Sequence, residues 1–178
     1  MGDHAMAGIR EIYGEQEIAV RVEALGHEIA SALPEEFVMV GLLKGSFVFM
    51  ADLVRALHRA GASPGVEFMR LSSYGMGKQS AGEVHLLGDI ATDIAGQHVL
   101  LVDDIVDTGR SIAYAAALIR QREPAALGIC ALLDKPGRRE VAVTVDYVGF
   151  RVPDVFVAGF GIDYAERYRG LPFIGVVE

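Results

Sequence analysis

The sequence predicts an α/β protein: a parallel-sheet core flanked by helices, with a small C-terminal hood. Three observations predict it. Up to Asp134, apolar runs of strand length alternate with segments of helical period, the pattern of consecutive βα units. Most of the strand-like runs are almost continuously apolar, as strands covered on both faces must be. From about residue 135 the pattern breaks into short apolar pieces between polar turns, with little room for further helices.

The elements follow in order. Residues 15–33 place Ile18, Val22, Leu25 and Ile29 on one helical stripe, and Pro34 closes the segment. Residues 37–43 read as a buried strand. Ser46 is placed to cap a helix running to about residue 60, with Gly61 as its stop. Residues 66–71 read as the next strand and residues 72–82 as a long, polar, Gly-rich mobile loop, a length more often functional than incidental. Residues 84–87 read as a short strand after that loop. Residues 98–102 form a strongly apolar strand, an acidic segment follows, and a helix is expected over about 111–121. Residues 126–133 are another buried strand, and the hood keeps apolar pieces at 147–150, 156–160 and 173–177. The first eight or so residues carry no apolar period and read as frayed. There is no repeat, low-complexity tract or linker, so residues 1–178 read as one domain.

Composition removes several classes of function. Apolar residues make up 52% of the chain and charged residues 22%, which places it among globular proteins. A net charge of −8 argues against broad binding to nucleic acid or an anionic membrane. No apolar stretch is long enough to cross a bilayer, and the N-terminus lacks the basic-then-apolar order of a secretory signal. The one cysteine, Cys130, lies in an apolar run and reads as a small buried hydrophobe; a chain without an internal disulfide fits a reducing cytoplasm. The five histidines have no zinc-like spacing.

The chemistry concentrates in Val102-Asp103-Asp104-Ile105-Val106-Asp107-Thr108-Gly109-Arg110-Ser111. Open parallel sheets bind ligands beyond the carboxyl ends of their strands, and this segment sits at such an end. Gly109 permits a tight turn into a helix whose N-terminal amides favour an anion. Thr108 and Ser111 add hydroxyls and Arg110 a positive charge, so this half reads as a phosphate cradle. Asp103, Asp104 and Asp107 would repel a phosphate beside them, but they accept hydrogen bonds from sugar hydroxyls and suit Mg²⁺ through water. A phosphate cradle beside carboxylates fits a ribose phosphate. A P-loop enzyme would need Gly-x-x-x-x-Gly-Lys-Ser/Thr, and Gly77-Lys78-Gln79 lacks both the upstream Gly and the hydroxyl residue. A receiver domain would need more chain than follows Asp104.

This segment resembles the phosphoribosyl-pyrophosphate (PRPP) signature of the type I phosphoribosyltransferases. Further motifs in the same order bring it nearest the hypoxanthine–guanine branch: Leu43-Lys44-Gly45-Ser46, Ser73-Tyr74, Asp134-Lys135-Pro136, and the stretch from Val152-Pro153-Asp154 through Phe156-Val157 to Asp163-Tyr164 and Arg169. The resemblance covers the chain from about residue 12. It implies transfer of a phosphoribosyl group from PRPP to a 6-oxopurine, hypoxanthine or guanine, releasing pyrophosphate and a purine nucleotide, with Mg²⁺ as cofactor.

It also implies a role for each matched residue. Asp103 and Asp104 would hold the ribose hydroxyls and the metal; many relatives have Glu where this chain has Asp103. Asp107 would be the general base at the purine N7. Thr108, Gly109, Arg110 and Ser111 would grip the 5′-phosphate. Leu43, Lys44 and Gly45 would approach the pyrophosphate, with a cis peptide before Lys44, and Arg169 would assist. Ser73 and Tyr74 would lie on a loop that closes over the reaction and excludes water. Lys135 would donate to the 6-oxo group, selecting against adenine. Phe156 would stack on the purine, Val157 would offer backbone groups to its edge, and Asp163, near the purine, would hold a second Mg²⁺ on the pyrophosphate. Tyr164 reads as packing. Two other classes stay in view. An RNA-binding regulator of the same fold would need a basic face that this chain lacks, and a transferase for orotate, uracil or adenine would not need Lys135 and Phe156. Family members form homodimers or homotetramers.

Overall fold

A computed structural model of the chain describes residues 8–74 and 83–178. Its main body is a six-stranded sheet of β2 (Val38–Leu43), β3 (Gly65–Tyr74), β4 (Glu83–Gly88), β5 (His98–Val106), β6 (Ala126–Asp134) and β7 (Tyr147–Arg151), in the order β4-β3-β2-β5-β6-β7. All neighbours are parallel except β3 and β4, which are antiparallel. β1 (Ile9–Tyr13), β8 (Val157–Ala158) and β9 (Ile174–Val177) form a separate antiparallel sheet in the order β1-β9-β8.

The apolar runs form strands because both faces of the large sheet are covered. α1 (Glu15–Ala32) and α2 (Phe47–Arg59) lie on one face, where Ile18, Val22, Leu25, Phe49 and Leu53 pack with Met39, Leu100, Val102, Cys130 and Leu132. α3 (Arg110–Arg120) covers the other face, where Ile112, Ala115 and Ile119 meet Val38, Val40, Val99, Leu101 and Ile129. Residues of alternate parity along the central strands thus serve opposite cores, which is why β2 and the first part of β5 are almost continuously apolar. Among the described residues no helix is long and apolar enough to cross a membrane.

Four expectations change in detail. β5 continues through Val106, so Asp103 and Asp104 belong to the strand, held by its pairing with β6. β3 continues through Tyr74, so Ser72, Ser73 and Tyr74 are strand residues paired with β4; the rest of the expected loop lies outside the described residues. Ser46 precedes α2, but its buried hydroxyl donates to the Leu42 carbonyl at 2.6 Å and caps no amide. The hood is not formed by the C-terminal segment alone. β7 joins the large sheet beside β6, and β1 from the N-terminal end pairs with β9.

Candidate active site

A cavity of about 230 Å³ opens at the carboxyl ends of β2 and β5. Leu43, Lys44 and Gly45 line it from the end of β2; Asp103, Asp104, Ile105 and Val106 from β5; Asp107, Thr108 and Gly109 from the turn; Ser111 and Ile112 from the start of α3. The position follows from topology, since parallel strands direct their connecting turns to one edge of the sheet.

The acidic pair sits at the floor of the site, Asp103 buried and Asp104 half-buried. Asp103 is 8% exposed, and its Oδ1 accepts the backbone N–H of Asp104 at 3.0 Å. Burial pushes the Asp103 carboxyl well above the usual carboxylate range, and the neighbouring Asp104 adds to the rise. Burial also raises Asp104, against the opposing pull of hydrogen bonds and of Arg169. Gly45 faces this pair so closely that a Cβ there would lie 1.7 Å from an Asp104 carboxylate oxygen. No side chain fits between the β2 end and Asp104.

The turn is built as its residue types require. Gly109 stands at φ +86, a conformation open to glycine at little cost. The first-turn amides of α3 follow it, and the Arg110 N–H approaches the Thr108 hydroxyl at 3.4 Å. The Arg110 side chain does not line the cavity: its guanidinium pairs with Glu140 at 2.7 Å. Both Asp107 carboxylate oxygens turn toward cations, with Arg138 Nε at 3.2 Å from one and Lys135 Nζ at 4.0 Å from the other. Lys135 is 5% exposed and therefore is not a solvent-facing turn residue.

A second group of charges lies at the β2 end. The Leu43–Lys44 peptide is cis. Lys44 Nζ pairs with Glu166 at 2.7 Å, and this ammonium holds the Glu166 carboxyl below its usual range. Arg169 reaches Asp163 at 2.7 Å and Glu166 at 3.6 Å, and it donates to the Gly161 carbonyl at 2.9 Å. Asp163 also accepts the Glu166 N–H. Gly161 sits close enough to the β2 loop that a Cβ on it would lie 2.5 Å from the Gly45 carbonyl oxygen. The segment that carries Asp163 and Arg169 thus packs directly on the loop that carries Lys44.

On the hood, Phe156 is 73% exposed, an unusual state for a large aromatic, and its ring meets Tyr164 edge-on. Tyr164 is itself exposed rather than packed. Val157 is buried and stands opposite Val176, while the Val177 N–H donates to the Phe156 carbonyl at 2.9 Å. That pattern marks a non-hydrogen-bonded pair, so the N–H and C=O of Val157 point away from β9, toward the open edge of the sheet. The side chains of Ser73 and Tyr74 lie outside the described residues. Sequence reasoning missed Glu166, Asp154, Arg138 and Arg139 as members of the site. The basic turn after Lys135 was a visible signal for the arginines, whereas nothing in the sequence marked Glu166.

The family model for the phosphoribosyl transferase domain matches residues 9–165. The chain belongs to the phosphoribosyltransferase family. Its relatives include the hypoxanthine phosphoribosyltransferase of Escherichia coli (strain K12), 48% identical over 166 residues and covering 92% of each chain. The hypoxanthine-guanine phosphoribosyltransferase of Bacillus subtilis (strain 168) is 42% identical over 168 residues, covering 94% of this chain and 92% of the relative. Among solved structures, a hypoxanthine phosphoribosyltransferase from Staphylococcus aureus superposes with a TM-score of 0.91 at 35% identity, covering 100% of this chain and 96% of that one. The phosphoribosyltransferase fold expected from the sequence is the fold observed, and the acidic turn lies inside the matched region.

Proposed function

We propose that this phosphoribosyltransferase serves purine salvage, transferring the 5-phosphoribosyl group of PRPP to hypoxanthine or guanine and releasing pyrophosphate with IMP or GMP. The observation that carries the reading is the position of Asp107. It opens the turn from β5 to α3 and at the same time faces the buried Lys135, which supports a carboxylate acting between a phosphoribosyl group and a purine.

The roles follow from the chemistry of each group. The α3 amides, Thr108 and Ser111 take the 5′-phosphate, with Gly109 keeping the turn tight. Arg110 joins them only by leaving Glu140. Asp103 and Asp104 accept the ribose hydroxyls; Asp103, one methylene shorter than Glu and already accepting the Asp104 backbone N–H, reaches less far toward the sugar. Lys135 donates to the purine 6-oxo group, Phe156 stacks on the ring and Val157 presents its outward backbone groups to the ring edge. Asp107 takes the N7 proton as N9 attacks C1′. Lys44 and Arg169 release Glu166 and Asp163 to receive the pyrophosphate.

The carboxylates fit Mg²⁺ as donors: hard oxygens of Asp103, Asp104 and Asp107 line the cavity. Among the described residues no cluster of three or more His, Cys, Asp or Glu could hold a metal ion. Asp103 and Asp104 would hold one ion and Asp163 a second, and when bound the ions supply charge that offsets the leaving pyrophosphate. Ser73 and Tyr74 would belong to the covering segment. A cytoplasmic location and assembly into dimers or tetramers belong to the same reading.

The test is direct. The protein is incubated with PRPP, Mg²⁺ and a panel of hypoxanthine, guanine, xanthine, adenine, uracil and orotate, and the products are identified. IMP or GMP is expected. A nucleotide made only from adenine or a pyrimidine would overturn the reading, as would no nucleotide at all.

A further inference from the structure

The turn after Lys135 carries two adjacent arginines with opposite surroundings. The Arg138 side chain is 46% exposed and reaches the carboxylates of Asp107 and Asp154. The Arg139 side chain is 15% exposed and points inward. Its guanidinium donates to the buried Asp134 carboxylate through Nη2 and to the Asp107 backbone carbonyl through Nη1 at 3.1 Å. Its Cδ packs against the turn so closely that a Cβ on Gly109 would lie 3.0 Å away.

Backbone bonds join the same two segments. The Glu140 and Val141 amides both donate to the Thr108 carbonyl, at 2.9 and 3.1 Å, and the Lys135 amide donates to the Val106 carbonyl at 3.0 Å. The segment that carries Lys135 is therefore laced to the turn that carries Asp107. Arg139 spans the lacing from the residue before Lys135 to the carbonyl of Asp107.

We propose that Arg139 is a positioning residue that fixes Lys135 relative to Asp107, and so sets the purine ring in register with the ribose carbon it attacks. It acts through those two residues and touches neither substrate. Arginine suits the task because its planar fork serves two acceptors at once, which a lysine ammonium on a flexible stem does not reproduce. A displacement of about 1 Å between reacting groups costs on the order of a hundredfold in rate, so a small loss of register is readable. The proposal rests on the roles given above to Lys135 and Asp107.

Removing Arg139 alone would leave Asp134 buried and unpaired, which is destabilising in itself. Two variants avoid that: Arg139→Lys, and the neutral pair Asp134→Asn with Arg139→Gln. With hypoxanthine and PRPP, each is expected to fold with a melting temperature near the parent's. In each, kcat should fall by about tenfold or more while the KM for PRPP changes less than about threefold, because the phosphate turn keeps its own glycine and helix amides. Arg139→Lys should retain more turnover than the neutral pair. A kcat within twofold of the parent in a folded variant would reduce Arg139 to a structural ion pair and overturn the proposal. So would failure of both variants to fold, which would assign the residue to stability. Absence of turnover in the parent would instead overturn the transferase reading on which the proposal stands.

Discussion

Asp107 illustrates how a residue can be ordinary by type and decisive by place. Its oxygens face Arg138 and Lys135, and its carbonyl is held by Arg139. The proposed function makes Asp107 the base at the purine N7, and positioned proton transfer contributes typically about 10²–10⁴-fold in rate. Asp107→Asn keeps the shape and one acceptor oxygen, gives up the second acceptor and the charge, and cannot take the proton. Its kcat is expected to fall by about a hundredfold or more, with PRPP binding by titration calorimetry within a few-fold of the parent. Near-parent turnover would remove Asp107 from the base role. The identity of this residue is legible in the sequence, because three carboxylates, a Thr and a Gly after an apolar strand form an unusual pattern. The partners are less legible. Glu166 reaches Lys44 across a sequence separation of 122 residues, and no local periodicity reports such a contact.

The β2 and β5 ends form the element on which the acidic pair depends. Gly45 meets Asp104 so closely that a methyl group has no space. Gly45→Ala must push Asp104 or the Lys44 loop aside, a form of overpacking that costs about 1–3 kcal/mol. The expected outcome is a melting temperature lower by several degrees and a kcat/KM for PRPP at least tenfold lower. Parent-like values for both would show that the contact relaxes without cost. The sequence indicated a strand, a turn and a helix here but ended the strand too early. Asp103 and Asp104 are poor strand formers in isolation, and pairing with β6 holds them extended; local propensity loses to tertiary context. The same holds for Ser72, Ser73 and Tyr74, whose polar character suggested a loop while pairing with β4 keeps them in β3.

At the scale of the whole molecule, the site works against the stability of the ligand-free fold. Asp103 and Asp104 are raised above the ordinary carboxylate value of 3.8 by burial. In the window above that value and below their raised folded values, the folded chain binds more protons than the unfolded chain. Their contribution to stability therefore falls as pH rises through that window. Asp103→Asn removes the larger part of this penalty. Its ligand-free melting temperature should match the parent's near pH 4 and exceed it as the pH rises above that, by roughly 2–4 °C for each kcal/mol recovered in a protein of this size. A difference that stays flat across thermal scans from pH 5 to pH 8 would contradict this account. Family, sheet class, the acidic turn before α3 and most of the residues that line its cavity were determined by the sequence by itself, because backbone geometry, apolar period and glycine placement act over a few residues and leave local marks. The tertiary structure alone decided that β1 joins β9 in the hood, that β7 extends the large sheet, that Lys135 is buried beside Asp107, and that Arg139 rather than Arg138 bonds both the Asp134 carboxylate and the Asp107 carbonyl. Those outcomes depend on which distant surfaces pack together, and burial and charge pairing between distant segments follow from that packing rather than from any short stretch of chain.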